Sequence, residues 1–173
     1  MDEIDLRWIT AEHEAAHAVM RWLRGLPATD VYVGNGDGLC EGTGAALRAE
    51  DALLVTLAGL VIETTFGLYT LDSVINPENE PDDLVEAREI LEGSMLLRMK
   101  IPVNPQPGQP ALEADFWTVE ESLQLWLKRA VSELCPHCDL VDVVATAAFD
   151  GYLSAADLQA ILDEYEQELE SNG

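Results

Sequence analysis

The chain has 173 residues, with 33 Asp and Glu against 9 Lys and Arg and a formal net charge of −24. Clustered cations able to grip a phosphate backbone are missing, which excludes nucleic acid and anionic membranes as partners. With 48% of residues apolar there is material for the core of one folded domain, 1–173, and disorder throughout is excluded.

The start, Met1-Asp-Glu-Ile-Asp5, is acidic where a secretory leader would be basic and then apolar. A cytoplasmic protein is expected, with Cys40, Cys135 and Cys138 as reduced thiols. Helical periodicity dominates, so the fold class expected is mostly α with a minor β part. The first helix runs from Thr10, an acceptable N-cap, to Arg24, with Gly25 just past its end and Pro27 beyond. Val31-Tyr-Val33 and the glycines at 34, 36, 38, 42 and 44 read as a strand or hairpin with tight turns, the one β region. Asp51 can cap a second helix to Phe66, closed by Gly67. Its apolar residues from Leu53 to Ile62 cover every face, so this helix must be central. The longest apolar run, Ala52 to Ile62, has eleven residues, well short of the roughly 20 needed to cross a bilayer.

Asn79 or Glu80 opens a third helix with Pro81 in its first turn, running to about Met99. The first part of the domain, 1–100, is followed by a Pro-rich surface connection over 101–113 and a C-terminal helical part over 114–173. In that last part a long helix carries Trp117, Leu123, Trp126, Leu127, Ala130, Val131 and Leu134. Leu140 to Phe149 forms a shorter helix, and Ser154 with Asp157 gives a capping-box-like start to the last one.

Chemistry is concentrated in His13-Glu14-Ala15-Ala16-His17, an H-E-x-x-H inside the first helix. Residues four apart on a helix point the same way, so His13 and His17 can present two imidazole nitrogens to one metal ion. Glu14 lies 100° round from His13, offset from the ligands, where it can take a proton from a metal-bound water. Ala15, Val19, Trp22 and Leu23 fall on the opposite arc and can pack on the core. A catalytic zinc site has three protein ligands and an open position, so a third ligand is needed. His137, beside Pro136 and between two cysteines, is poorly placed for this. Glu63 on the buried second helix, and Asp82 or Asp83 at the start of the third, are the carboxylate candidates; Glu63 is costly to bury unless paired or metal-bound.

Taken together, His13-Glu-Ala-Ala-His17, Leu57-Ala-Gly-Leu-Val-Ile-Glu63-Thr-Thr-Phe-Gly67 and Asp82-Asp-Leu-Val-Glu-Ala87 resemble the peptidase domain of FtsH-type zinc proteases. The C-terminal stretch from Asp139 through Phe149 and Gly151 to Leu162 is similar to that family's ending, so the resemblance spans nearly the whole chain. It implies Asp83 as the third zinc ligand, with Leu84 and Ala87 in the matching places, and Glu63 as a buried supporting acid. The chain departs from the family pattern at Ala16, Leu60 and Thr64 and in Asn76–Pro81. No G-x-x-x-x-G-K-[ST] loop occurs in these 173 residues, and neither that family's membrane anchor nor its ATPase ring is expected.

The function expected is therefore a stand-alone, ATP-independent zinc metallopeptidase acting on short peptides or unfolded protein. Zinc would be held by His13, His17 and Asp83, with Glu14 as general base on the zinc-bound water. A homo-oligomer or a separate ATPase chain is the partner this leaves open, and a catalytically inactive binding or regulatory module is the alternative function. The Gly-rich segment after Val33 would supply an edge strand for an extended peptide. The strong negative charge steers basic peptides toward the molecule and acidic ones away. Cys135-Pro-His-Cys138 reads as a helix connector, with a local metal clip including Cys40 and redox catalysis as lesser alternatives. The four tryptophans are read at apolar helical positions, as core or subunit contacts.

Overall fold

The computed structural model describes residues 3–34, 37–40, 47–65, 81–100 and 116–172. Among these residues six helices and three short strands follow in the order α1 (Glu3–Leu23), β1 (Val31–Val33), β2 (Gly38–Cys40), α2 (Ala49–Thr65), α3 (Asp82–Gly93), α4 (Val119–Leu134), α5 (Cys138–Ala148), β3 (Tyr152–Leu153) and α6 (Ala155–Asn172). Single 3-10 turns at Met95–Arg98 and Cys135–His137 follow α3 and α4. The fold is mostly α with a small β part, as the periodicity predicts.

Helix α2 is the centre of the core. Leu53, Leu54, Leu57, Ala58, Leu60, Val61 and Ile62 are all buried, because α1, α3 and α4 pack around it. Each such Leu, Ile or Val contributes roughly 1.5–3 kcal/mol on leaving water. Helix α1 packs between α2 and α5 and buries Ala11, Ala15, Ala16, Ala18, Val19 and Met20. Small alanines let the axes approach closely, which brings a polar face of α1 up against α2 and α3.

The first helix begins at Glu3, seven residues before the expected cap. Thr10 sits inside it, its Oγ1 donating to the Leu6 carbonyl at 3.0 Å, so its hydroxyl is satisfied without ending the helix. Its C-terminus agrees with expectation: Gly25 takes a left-handed φ of 67°, and Leu26 N–H reaches back to the Arg21 carbonyl at 2.9 Å. Helix α2 likewise begins before Asp51, at Ala49. Instead of capping, Asp51 pairs with Arg24 and Arg48 at 2.8 and 2.7 Å. Phe66, Gly67, Asn79 and Glu80 lie outside the described residues.

Pro81 occupies the N-cap of α3, one position before its first turn, and α3 ends at Gly93 rather than Met99. Ser94 is extended, with φ −125° and ψ 91°, which separates α3 from the 3-10 turn. Trp117 is not helical; Thr118 caps α4 in a reciprocal box with Glu121, and the Lys100 ammonium lies 4.6 Å from the Trp117 ring centroid. Met99 bridges to Phe116, so the chain leaves and rejoins the body at one place on either side of the Pro-rich connection. The connection itself, 101–113, lies outside the described residues.

Strand β1 pairs antiparallel with β2, Val31 opposite Cys40 and Val33 opposite Gly38, as the expected hairpin. Strand β3, not foreseen, pairs on its other side with Val31 opposite Leu153, giving the order β2-β1-β3. Val31 and Val33 face the core while Tyr32 points out, its ring 5.0 Å from that of Tyr152. Among the described residues strand β2 is thus an edge strand, set beside α1. Ser154 opens α6 by accepting from Asp157 N–H at 3.2 Å, as expected.

Candidate metal centre

His13 and His17, one turn apart on α1, point together into a cleft between α1, α2, β2 and the start of α3. Their Nε2 atoms are 3.0 Å apart. Asp83, in the first turn of α3, brings Oδ2 to 3.2 Å from His13 Nε2 and 3.3 Å from His17 Nε2. Among the described residues these three form the one cluster of His, Cys, Asp and Glu able to hold a metal ion. Asp82 is exposed and Asp83 half-buried, because the face of α3 carrying Leu84, Ala87 and Leu91 is the one packed inward.

The outer nitrogens fix how the rings present themselves. His17 Nδ1 lies 2.7 Å from the Val55 carbonyl on α2, which can only accept, so Nδ1 carries the proton and Nε2 keeps its lone pair. His13 Nδ1 lies 2.9 Å from Glu63 Oε1 near the end of α2. That contact is close but poorly aligned for an N–H···O bond, and the carboxylate there favours a proton on the ring. Outer-sphere partners of this kind, a carbonyl and a carboxylate, are what orient metal-ligating imidazoles.

The donor set fits zinc. Two imidazole nitrogens and a carboxylate oxygen are among its ordinary ligands, and Asp83 Oδ2 is buried without a hydrogen-bond partner. Ligands about 2.05 Å from a tetrahedral ion stand about 3.3 Å from one another, and the separations here are 3.0, 3.2 and 3.3 Å. Without a cation, three acceptors at such distances repel unless a proton joins them. Burial opposes charge on His13, but the Asp83 and Glu63 carboxylates outweigh it and raise its pKa to about 10. Burial likewise works against the Asp83 carboxylate, yet His13 and His17 hold it well below the ordinary range.

Glu14 stands beside this cluster, 6% exposed. Burial raises its proton affinity, while the two histidines pull the other way and do not cancel the effect. Two glycines that spacing did not mark as functional make the arrangement possible. A Cβ on Gly38 would overlap the Glu14 carboxylate, so only glycine lets β2 pass over the acid. A Cβ on Gly59 would overlap both the His13 ring and Asp83 Oδ2. A glycine inside a helix that is otherwise apolar all round was the available signal, since it costs roughly 1 kcal/mol there against alanine.

The cleft has a volume of about 920 Å³ and runs from Leu6 and Ile9 past the cluster to Arg21 and Cys40, with β2 along one side. His137 lies elsewhere, its ring 5.6 Å from that of Trp22 and its Nδ1 3.3 Å from the Tyr165 hydroxyl. Cys40 contacts the Thr29 hydroxyl at 3.4 Å, and burial pushes its thiol up to about 11; Cys135 and Cys138 are exposed free thiols. No described helix is long and apolar enough to cross a membrane. Comparison with protein-family models, curated proteins and solved structures finds no match to this chain.

Proposed function

We propose that the chain is a zinc-dependent peptidase, with His13, His17 and Asp83 as the metal ligands and Glu14 as general base. The observation that carries this reading is the convergence of His13 Nε2, His17 Nε2 and Asp83 Oδ2, with the outer nitrogens turned to Glu63 and Val55. A bound zinc supplies Lewis acidity toward a scissile carbonyl and makes water a nucleophile near neutral pH. Glu14 then has the task of accepting the proton of the attacking water as the C–O bond forms. It passes that proton to the departing amine nitrogen as the C–N bond breaks. Its burial suits the task, because a carboxylate held out of water binds a proton more readily than an exposed one.

Strand β2 supports a peptide substrate in particular. The side of it that no described strand pairs with borders the cleft, and an extended chain can add there by backbone hydrogen bonds. Such a chain must be short or already unfolded to lie along the strand.

The test is hydrolysis of an unstructured peptide by zinc-loaded protein, with Glu14→Gln as control. Turnover that disappears in Glu14→Gln while about one zinc per chain stays bound is the expected result. Equal turnover in the variant would overturn the role of Glu14. Zinc bound with no turnover by the wild type would move the reading to a binding or regulatory module.

A further inference from the structure

Arg21 follows His17 by one further turn, so His13, His17 and Arg21 share one face of α1. It lines the same cleft and is 3% exposed. A guanidinium carries five N–H donors, yet the contact recorded for this one is a long 3.4 Å bond from Nη2 to the Pro27 carbonyl. Its Nε is buried with no partner, and no described carboxylate is paired with it. Burying a charge without a counter-charge is costly. The negative end of the α1 dipole offsets a part of this, since Arg21 lies in the last turn.

The neighbouring arginine shows what a purely structural role looks like in this fold. Arg24, one turn on, reaches Glu50, Asp51 and Glu133 at 3.4, 2.8 and 3.3 Å and ties α1 to α2 and α4. Among the described residues Arg21 ties α1 only to the loop that follows it. Elsewhere the cleft is lined by the carboxylates of Glu14, Asp37, Glu63, Asp82, Asp83 and Glu86, and apart from the two histidines Arg21 is the one basic side chain among its described lining residues.

Building on the peptidase reading, we infer that Arg21 is the specificity-determining residue of the cleft and binds a carboxylate of the substrate. The four residues from His17 to Arg21 rise about 6 Å along α1, and an extended peptide covers that in about two residues. The carboxylate would therefore lie about two residues from the bond aligned with the histidines. Two sources have this chemistry: a free C-terminus, which would make the activity one that releases about two residues from the C-terminal end, and an Asp or Glu side chain within a longer peptide. The molecule's negative field acts on encounter, whereas Arg21 acts on the seated peptide, so the two effects separate with salt.

The experiment measures binding by calorimetry to the Glu14→Gln protein, as purified and after zinc addition, in about 0.5 M salt, where long-range repulsion is screened within a few ångströms. Four acetylated pentapeptides serve as probes. Two are neutral and differ in a free or amidated C-terminus; two are amidated and carry one Glu or one Gln at the third position. In at least one pair the carboxylate form should bind tenfold tighter or more, and the pair that shows it identifies the source. The gap should vanish in Arg21→Gln and survive in reduced form in Arg21→Lys, which keeps the charge without the fork. Equal binding within both pairs, or a gap that persists in Arg21→Gln, overturns the inference. If Arg21→Gln does not fold, the pairs measured with Arg21 intact and with Arg21→Lys still decide it. Carboxylate selectivity without turnover by the wild-type Glu14 protein would remove the peptidase reading and leave the Arg21 subsite standing; Glu14-dependent turnover without that selectivity would do the reverse.

Discussion

Gly59 faces the His13 ring so closely that a single added methyl group would overlap it. The helix that forms the centre of the core thus has a notch cut into it where α1 and α3 bring their polar side chains together. Gly59→Ala removes the notch. Helix propensity alone would favour alanine by roughly 1 kcal/mol, but His13 and Asp83 must then move apart. Zinc affinity is expected to fall at least tenfold, read as metal per chain after dialysis against a competing chelator. Unchanged affinity would show that the ligands can shift without loss.

Glu63 is the next residue out. Its carboxylate is placed on His13 Nδ1 and touches no proposed ligand position. Glu63→Gln keeps the size and removes the charge, and zinc affinity should fall about 10–100-fold, the usual effect of losing an outer-sphere partner. Peptide turnover at saturating zinc should survive in part, which separates Glu63 from Glu14. Complete loss of turnover with zinc retained would place Glu63 in the reaction itself.

The sequence makes the local half of this site plain and the distant half obscure. His13, Glu14 and His17 are neighbours on one helix, and helical geometry alone predicts their convergence. Asp83 comes from another helix, and nothing local separates it from Asp82; the resemblance alone prefers it, and in the fold the packing of Leu84, Ala87 and Leu91 turns it inward. Thr10 misleads because a capping side chain inside a helix can satisfy itself on the preceding turn. Strand β3 has two residues, too few for any periodicity. Gly59 and Arg21 were legible as types out of place, a glycine in an apolar helix and an arginine on a ligand face, but their roles depend on what α2, α3 and the 26–29 loop set opposite them.

A different prediction concerns the link between α1, α2 and α4. Asp51 is 3% exposed and depends on Arg24 and Arg48 for its charge. Arg48 is largely exposed, so Arg24 is the partner that shields it from unpaired burial. Arg24→Met should destabilise the protein by about 1–3 kcal/mol, less than for a fully orphaned buried charge because Arg48 remains. The double variant with Asp51→Asn should recover a part of that loss. Urea unfolding of the single and double variants measures both, and additive effects would show that the pair is not coupled.

The pH dependence of stability should differ between metal-free and zinc-loaded protein. His13 is raised from its ordinary 6.5 to about 10 in the folded metal-free chain. A raised histidine stabilises the fold fully below its unfolded value, and the contribution is lost as pH climbs through the folded one. Glu12, whose burial lifts it to about 7, also makes stability fall with rising pH, but over the range from 4.5 to about 7. Between about 7.5 and 9 the histidine is left as the main source of the slope, and above 9 the buried Cys40 thiol adds to it in the same direction. In chelator the Tm should therefore drop by several degrees across that interval. Zinc takes the place of the proton between His13, His17 and Asp83, so the loaded protein should hold its Tm there and lose metal instead as pH falls and protons compete. Parallel curves with and without zinc would mean that the metal does not sit on His13.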